Sequence, residues 1–352
     1  MTRHPARSPQ RTGPYLKGVD PRYSQLNSIR VQSAKGRVFQ IDGHSLTIFS
    51  LAGGANGHFG FESQLGFQVQ GVATKGGRKK QEDSIYAAEV KGPHINLLVF
   101  AVADGLGGRT RGNLASSTAI QAVHATLVSM IKNPSSLTLS ADTLFLGAEF
   151  ALCFQTQQAH CQGSDTTLSV GMLTPSAGHL ATAGDSACIR FGASGEASQI
   201  TSMDLSWRDH LNIMDKTLSS KDPTSYFLNP LDEGAVFCIG TDGLLDIFME
   251  TQHYKASLSQ SLSPQTPSRD LLSGISLFVG ESRRAGEKNA KAGGQYLARC
   301  IERLQVLPPF GRRWDNASGI LIHKTSRKPS DTLPITTLAA STKKARALWG
   351  VR

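Results

Sequence analysis

The stretch Ile95-Asn96-Leu97-Leu98-Val99-Phe100-Ala101-Val102-Ala103-Asp104-Gly105 carries an apolar run, broken only by Asn96, that stops at an Asp-Gly pair. Such a run reads as a central strand buried on both faces. A strand that ends in Asp-Gly places a carboxylate at the rim of its sheet, and the glycine lets backbone or ligand approach closely. The pattern returns at Ala235 to Ile239, followed by Gly240-Thr241-Asp242-Gly243-Leu244. Two further acidic stretches stand far away in the chain, Gln81-Glu82-Asp83-Ser84 and Asp315-Asn316. Carboxylates gathered at one rim repel one another unless a cation holds them, and all-oxygen ligation suits Mg or Mn rather than zinc.

Around these stretches the chain alternates strands, turns and two long helices. Phe67 to Val72 alternates apolar and polar residues, as a half-buried strand does. Residues 113–132 read as a helix with Ile120, Val123, Leu127 and Ile131 on one face, Asn113 as N-cap and Pro134 just past the end. A second helix is expected over Asp142 to about Gln158. Thr167–Leu173 and His179–Ala183 read as a hairpin, and Cys188–Phe191, Ala235–Ile239 and Ala317–His323 as further strands. Tyr296–Leu304 reads as helical, and Asp204–Asn229 as polar and irregular. Antiparallel strands with long helices imply an α+β layered fold.

The boundaries expected are a basic, unstructured tail over 1–36, an extension over 37–65 and a compact domain over 66–323. Within the extension, Arg37–Ile41 and Leu46–Phe49 can form short strands. Residues 257–294 read as an insertion or mobile loop, and 324–352 as a second basic tail.

The formal charge of +10 is unevenly spread over the 352 residues. Residues 1–40 carry +7 and 324–352 carry +6, which leaves −3 on the rest. A mildly acidic body between basic tails is not the footprint of a nucleic-acid-binding fold, and the tails lack interleaved aromatic residues. The five cysteines show no CxxC pair, as expected of reduced thiols in a cytoplasmic protein. No apolar stretch is expected to span a membrane, and the first residues lack the apolar segment of a signal peptide.

Six motifs in order make the chain similar to the metal-dependent protein phosphatases of the protein phosphatase 2C family. They are Arg78 with Glu82-Asp83-Ser84, Phe100 to Gly108, Asp165-Thr166-Thr167-Leu168, Ala183-Gly184-Asp185-Ser186, Gly240 to Leu244, and Asp315-Asn316. The resemblance covers about residues 66–323, and Leu106 after Asp104-Gly105 resembles the bacterial branch. It implies an α-β-β-α sandwich of two antiparallel sheets flanked by helices, with two Mn2+ or Mg2+ ions at one end. It implies that Asp104 bridges the ions, that Glu82 and the Gly105 carbonyl complete one site, and that Asp242 and Asp315 complete the other. Asp83 would order the waters of the ions, and Arg78 would bind the substrate phosphate. The implied reaction is hydrolysis of phosphoserine and phosphothreonine in proteins by a metal-bound hydroxide, against an opposing Ser/Thr kinase. The resemblance leaves a third ion open: the Asp that ligates it in many bacterial members has no counterpart in His160-Cys161-Gln162-Gly163-Ser164, and Asp165 or His160 would be the substitutes.

The rival function is a catalytically silent relative that binds or scaffolds, but such a relative normally loses one of the acids. Lys79, Lys80, Arg109 and Arg111 read first as a solvated face, and Asp185 as a turn-tying residue. His124 and His323 read as surface or satisfied core histidines. Nothing near Ser84 resembles a nucleophilic triad.

Overall fold

Among the described residues between Arg37 and Lys324, short runs rich in Val, Ile, Leu and Phe pair into two antiparallel sheets. The computed structural model describes residues 36–76, 78–106, 111–134, 139–156, 166–192, 197–201, 224–228, 231–245 and 315–325. All belong to one unit, Val31–Arg352; the other unit, Met1–Arg30, lies outside the described residues.

The first sheet holds β1 (Arg37–Ile41), β2 (His44–Leu51), β5 (Ser84–Lys91), β6 (Asn96–Ala103), β7 (Leu168–Leu173), β8 (Gly178–Ala183) and β11 (Thr224–Leu228), in the order β1-β2-β5-β6-β7-β8-β11. The second holds β3 (Gly57–Glu62), β4 (Phe67–Thr74), β9 (Ala187–Phe191), β10 (Ala197–Gln199), β12 (Val236–Gly240) and β13 (Ala317–Lys324), in the order β10-β9-β12-β13-β4-β3. Their inner faces pack together through one apolar core. Phe49, Ile85, Phe100 and Val102 of the first sheet meet Phe59, Phe67, Val69, Phe237, Ile239 and Ile320 of the second. Side chains alternate across a strand. On β6, Leu98, Phe100 and Val102 therefore enter this core, while Leu97, Val99 and Ala101 face the other side.

That other side is covered by α1 (Gly112–Lys132) and α2 (Ala141–Thr156), which pack on each other, α1 on β5 and β6, and α2 on β7 and β8. Two antiparallel sheets with a helical layer form the expected sandwich. The helix expected over Tyr296–Leu304 lies outside the described residues, as do the loop 257–294 and the tails apart from Gly36, Lys324 and Thr325, of which Lys324 ends β13.

Several expectations are corrected. The N-cap of α1 is Arg111, not Asn113; it is left-handed, with φ 75°, and its side chain makes no capping bond. By length and composition α1 does qualify as a membrane-crossing helix, but it is mostly buried as a core helix between β5, β6 and α2. The β4 strand is buried at every position rather than half-buried: Phe67, Val69 and Ala73 enter the core between the sheets, and Gln68 and Gln70 of the other face are buried as well. Of the stretch expected to be irregular, residues 224–228 form an edge strand on β8, where Ser225 Oγ donates to Asp142 Oδ1 at 2.6 Å. The sheets also reach back beyond Leu65. Strand β2 pairs with β5 from Ser45 to Leu51, and Leu46 and Ile48 are fully buried.

Candidate metal centre

Strand ends bring the acids together. In the first sheet β5 begins just after Glu82-Asp83 and β6 ends just before Asp104, and Ser84 pairs with Ala103. Asp83 and Asp104 therefore leave the same end. In the second sheet β12 ends just before Thr241-Asp242 and β13 begins just after Asp315-Asn316, with Gly240 opposite Gly319. Ala317 pairs with Thr74, so the turn Lys75–Lys80, with Arg78, leaves this end too. Every residue expected at the site thus stands at one rim of the sandwich.

Hydrogen bonds join the two sheets there. Thr241 Oγ1 donates to Asp83 Oδ2 at 3.3 Å. Gln81 Nε2 donates to Ser318 Oγ at 3.3 Å. The Glu82 amide donates to Asn316 Oδ1 at 3.0 Å. Asn316 does more: its Nδ2 donates to the carbonyls of Lys75 (2.9 Å) and Lys80 (2.8 Å), so one buried amide closes the basic turn. The backbone of Asp104 is held by Thr166 and Thr167. Its carbonyl accepts from Thr166 Oγ1 at 2.7 Å and from the Thr167 amide at 2.8 Å, and its amide donates to Thr167 Oγ1 at 3.0 Å. Asn316, Thr241 and Thr167 all lie inside motifs visible in the sequence, but hydrogen-bonding residues at strand ends look like ordinary turn residues until their distant partners are known.

Burial dominates the electrostatics. It pushes the Asp83 carboxyl up to about 7, with the charges of Asp242 and Asp315 adding and hydrogen bonds to Ser318 and Asp104 opposing. It holds Asp104 well above the usual carboxylate range, reinforced by Asp83, Asp242 and Asp185. Glu82 is raised by burial against the pull of Arg78 and Lys80. Arg78 Nη2 donates to Asp315 Oδ2, and this pair raises the arginine pKa further.

Among the described residues no three His, Cys, Asp or Glu side chains group as ligands of one ion. The acids contact one another in pairs instead, Asp104 with Asp83 and with Asp242. Three observations nevertheless fit the donor set to divalent cations. Among the described residues, the buried Asp83 Oδ1 has no hydrogen-bond partner. The backbone at Gly105 is so tightly approached that a Cβ would stand 2.6 Å from the Glu82 carbonyl and 2.3 Å from that of Gly112. All the side chains offered are oxygen donors, the chemistry of Mg and Mn. Gly243 is a comparable cradle, since a Cβ there would meet the Asn316 carbonyl at 1.9 Å. His160, Asp165 and Arg109 lie outside the described residues; Arg111 is exposed.

The sequence model of the Protein phosphatase 2C family matches residues 79–273, more than half of the chain. No curated protein matches. Among solved structures, the catalytic domain of the serine/threonine phosphatase PstP, described as a complex with two manganese ions, is 18% identical with a TM-score of 0.48; the match covers 74% of this chain and 99% of that one. PstP/Ppp of Mycobacterium tuberculosis is 19% identical with a TM-score of 0.47, over 74% of this chain and 99% of that one. Stp1 of Staphylococcus aureus is 17% identical with a TM-score of 0.47, over 72% and 94%. The assignment to a family rests on the sequence match.

Proposed function

We propose that this chain, which belongs to the protein phosphatase 2C family, hydrolyses phosphoserine and phosphothreonine in proteins at the rim described above. The observation that carries the reading is the meeting of Glu82, Asp83, Asp104, Asp242 and Asp315 at one end of the sandwich, delivered by four strand ends from two sheets.

Glu82, Asp104, the Gly105 carbonyl, Asp242 and Asp315 would hold two Mg or Mn ions. Bound there, such ions acidify a water and screen the charge of the attacked phosphate. The rest of the work falls to the chain itself. The buried Asp83, with Oδ1 unpartnered and Oδ2 on Thr241, is placed to accept a hydrogen bond from a water at the centre. Thr166 and Thr167 fix the Asp104 backbone, so that its carboxylate alone is presented. Arg78 commits one nitrogen to Asp315 and keeps further guanidinium donors at an exposed position, where they can grip phosphate oxygens. No nucleophilic serine or cysteine is needed. Cys188 and Cys238 are buried, and burial raises their thiols, so they stay protonated. The same reading places the enzyme in the cytoplasm, acting on proteins that a Ser/Thr kinase phosphorylates.

The test is phosphate release from a phosphothreonine peptide with Mn and with EDTA. Release only with Mn supports the reading, and release that survives chelation refutes it. Arg78→Ala is expected to raise KM for the peptide while Mn affinity stays nearly unchanged.

A further inference from the structure

The turn Lys75-Gly76-Gly77-Arg78-Lys79-Lys80 carries four cations in six residues, and all four are exposed. Only Arg78 is engaged, by Asp315; among the described residues Lys75, Lys79 and Lys80 have no ion-pair partner. Charge runs of this kind are usually solvated and loosely held. This one is tied down. Asn316 Nδ2 bridges the carbonyls of Lys75 and Lys80, and the Arg78 amide closes a tight turn on the Lys75 carbonyl at 3.3 Å. Asn316 is itself buried and follows Asp315 directly, and its Oδ1 holds the Glu82 amide. The basic turn is therefore fixed to the same residues that form the acidic centre.

The charges are arranged in two zones. The inner zone is acidic, with Asp83, Asp104 and Asp242 in mutual contact or close by. The turn beside it is basic, and Asn316 ties the Lys80 carbonyl and the Glu82 amide to one side chain. Resting on the phosphatase reading above, we infer that the turn Lys75–Lys80 is a recognition surface for acidic side chains flanking the phosphorylated residue of a protein substrate. An extended peptide advances about 3.3 Å per residue, so residues two or three positions away pass over this turn, within reach of lysine side chains. Because the turn is fixed beforehand, little backbone order is lost when the substrate binds. Several solvated pairs acting together give a modest, salt-sensitive preference rather than an absolute one.

The experiment uses the full chain with Mn and three phosphothreonine peptides that differ only in their flanks, Asp/Glu, Ala or Lys. The acidic peptide is expected to show a kcat/KM about fivefold above the alanine peptide, carried by KM and lost in high salt. The pair Lys75→Ala with Lys79→Ala should abolish the preference, Lys79→Glu should shift it toward the lysine peptide, and both variants should turn over p-nitrophenyl phosphate as the wild type does. Equal kcat/KM on the three peptides, or a preference that survives both variants, overturns the inference while leaving the phosphatase reading intact. If neither the peptides nor p-nitrophenyl phosphate is hydrolysed, the phosphatase reading falls. Fluorescence anisotropy of the same labelled peptides then decides the role of the turn. Tighter binding of the acidic peptide that the variants lose supports it, and equal binding refutes it. Tighter binding of a phosphate-rich RNA or of anionic vesicles than of the acidic peptide would also overturn it.

Discussion

Thr241 and Asp83 belong to different sheets and stand far apart in the chain, yet the threonine hydroxyl donates to the buried carboxylate at 3.3 Å. The same hydroxyl oxygen accepts from the Ser318 amide at 3.1 Å, so one side chain ties β12 to β13 and both to the start of β5. An acid as buried as Asp83 is held in place by such donors, since an unpaired charge there would be strongly destabilising.

Thr241→Val keeps the shape and removes the donor. Partners that orient metal-binding groups typically contribute 10- to 100-fold in metal affinity. Isothermal titration with Mn should therefore show at least about tenfold weaker binding in Thr241→Val, and Thr241→Ser should restore most of it. Unchanged affinity in the valine variant would mean that Asp83 takes no part in the centre.

Asn316→Ala removes the bonds to Lys75, Lys80 and Glu82 together. Three part-buried hydrogen bonds lost together should destabilise the fold by about 2–4 kcal/mol in urea denaturation. Asn316→Asp should also be harmful, because it keeps the acceptor for Glu82 but loses both donors and sets a charge beside Asp315. An aspartate variant as stable as the wild type would contradict this account of the turn.

The pH dependence has two opposed parts. Asp83 rises to about 7 on folding, from an ordinary value of 3.8, so the metal-free folded state holds more protons than the unfolded chain between these values. Without metal, stability should fall as pH climbs from about 4 to 7, and Mn affinity should grow over the same window. His124, buried on α1 with Nδ1 against Tyr86 Oη at 3.0 Å, is lowered by burial to about 4. Its contribution has the other sign: it is complete above pH 6.5 and is lost as pH falls from 6.5 to 4. Urea midpoints measured in EDTA should reveal the acid term in the difference between the wild type and Asp83→Asn. The difference between the wild type and His124→Phe isolates the histidine term. A wild-type midpoint that tracks Asp83→Asn across pH 4–7 would rule out the acid term.

How much of this was legible in the sequence depends on the range of each interaction. Asp104 and Asp242 announce themselves because each ends an apolar run at an Asp-Gly pair, and a strand end fixes where its next side chain goes. The periodicity of residues 113–132 likewise gives α1 to within one residue. The reading fails where the cause is non-local. Gln68 and Gln70 alternate with core residues along β4 yet are themselves buried, so local alternation suggests a solvent face that does not exist. Asn113 has the right chemistry for an N-cap, but the helix begins at Gly112, which lies close against Gly105, so Arg111 is the cap. The bridging by Asn316 joins parts of the chain that no local pattern connects.

The depth of β2 in the first sheet bears on where the chain can be cut. A chain shortened to begin at Leu65 loses β1, β2 and β3, uncovers the β5 edge and removes Leu46, Ile48, Phe49 and Phe59 from the buried set. It should be unfolded by circular dichroism, whereas residues 36–327 keep every described strand and should melt cooperatively. Cooperative melting of the shorter chain would show that β1–β3 are dispensable.

The central claim is that the acids at this rim are the catalytic metal centre of a phosphatase. The most direct measurement is Mn-dependent phosphate release from a phosphothreonine peptide by the wild type and by Asp104→Asn, with Mn binding to each followed by calorimetry. Asparagine keeps the size of Asp104 and its backbone bonds to Thr166 and Thr167, so the fold should persist. If Asp104 is a metal ligand here, turnover should fall by at least about 10³-fold in Asp104→Asn and Mn binding should be lost or severely weakened. Wild-type turnover in Asp104→Asn, or full Mn binding by it, would contradict the account.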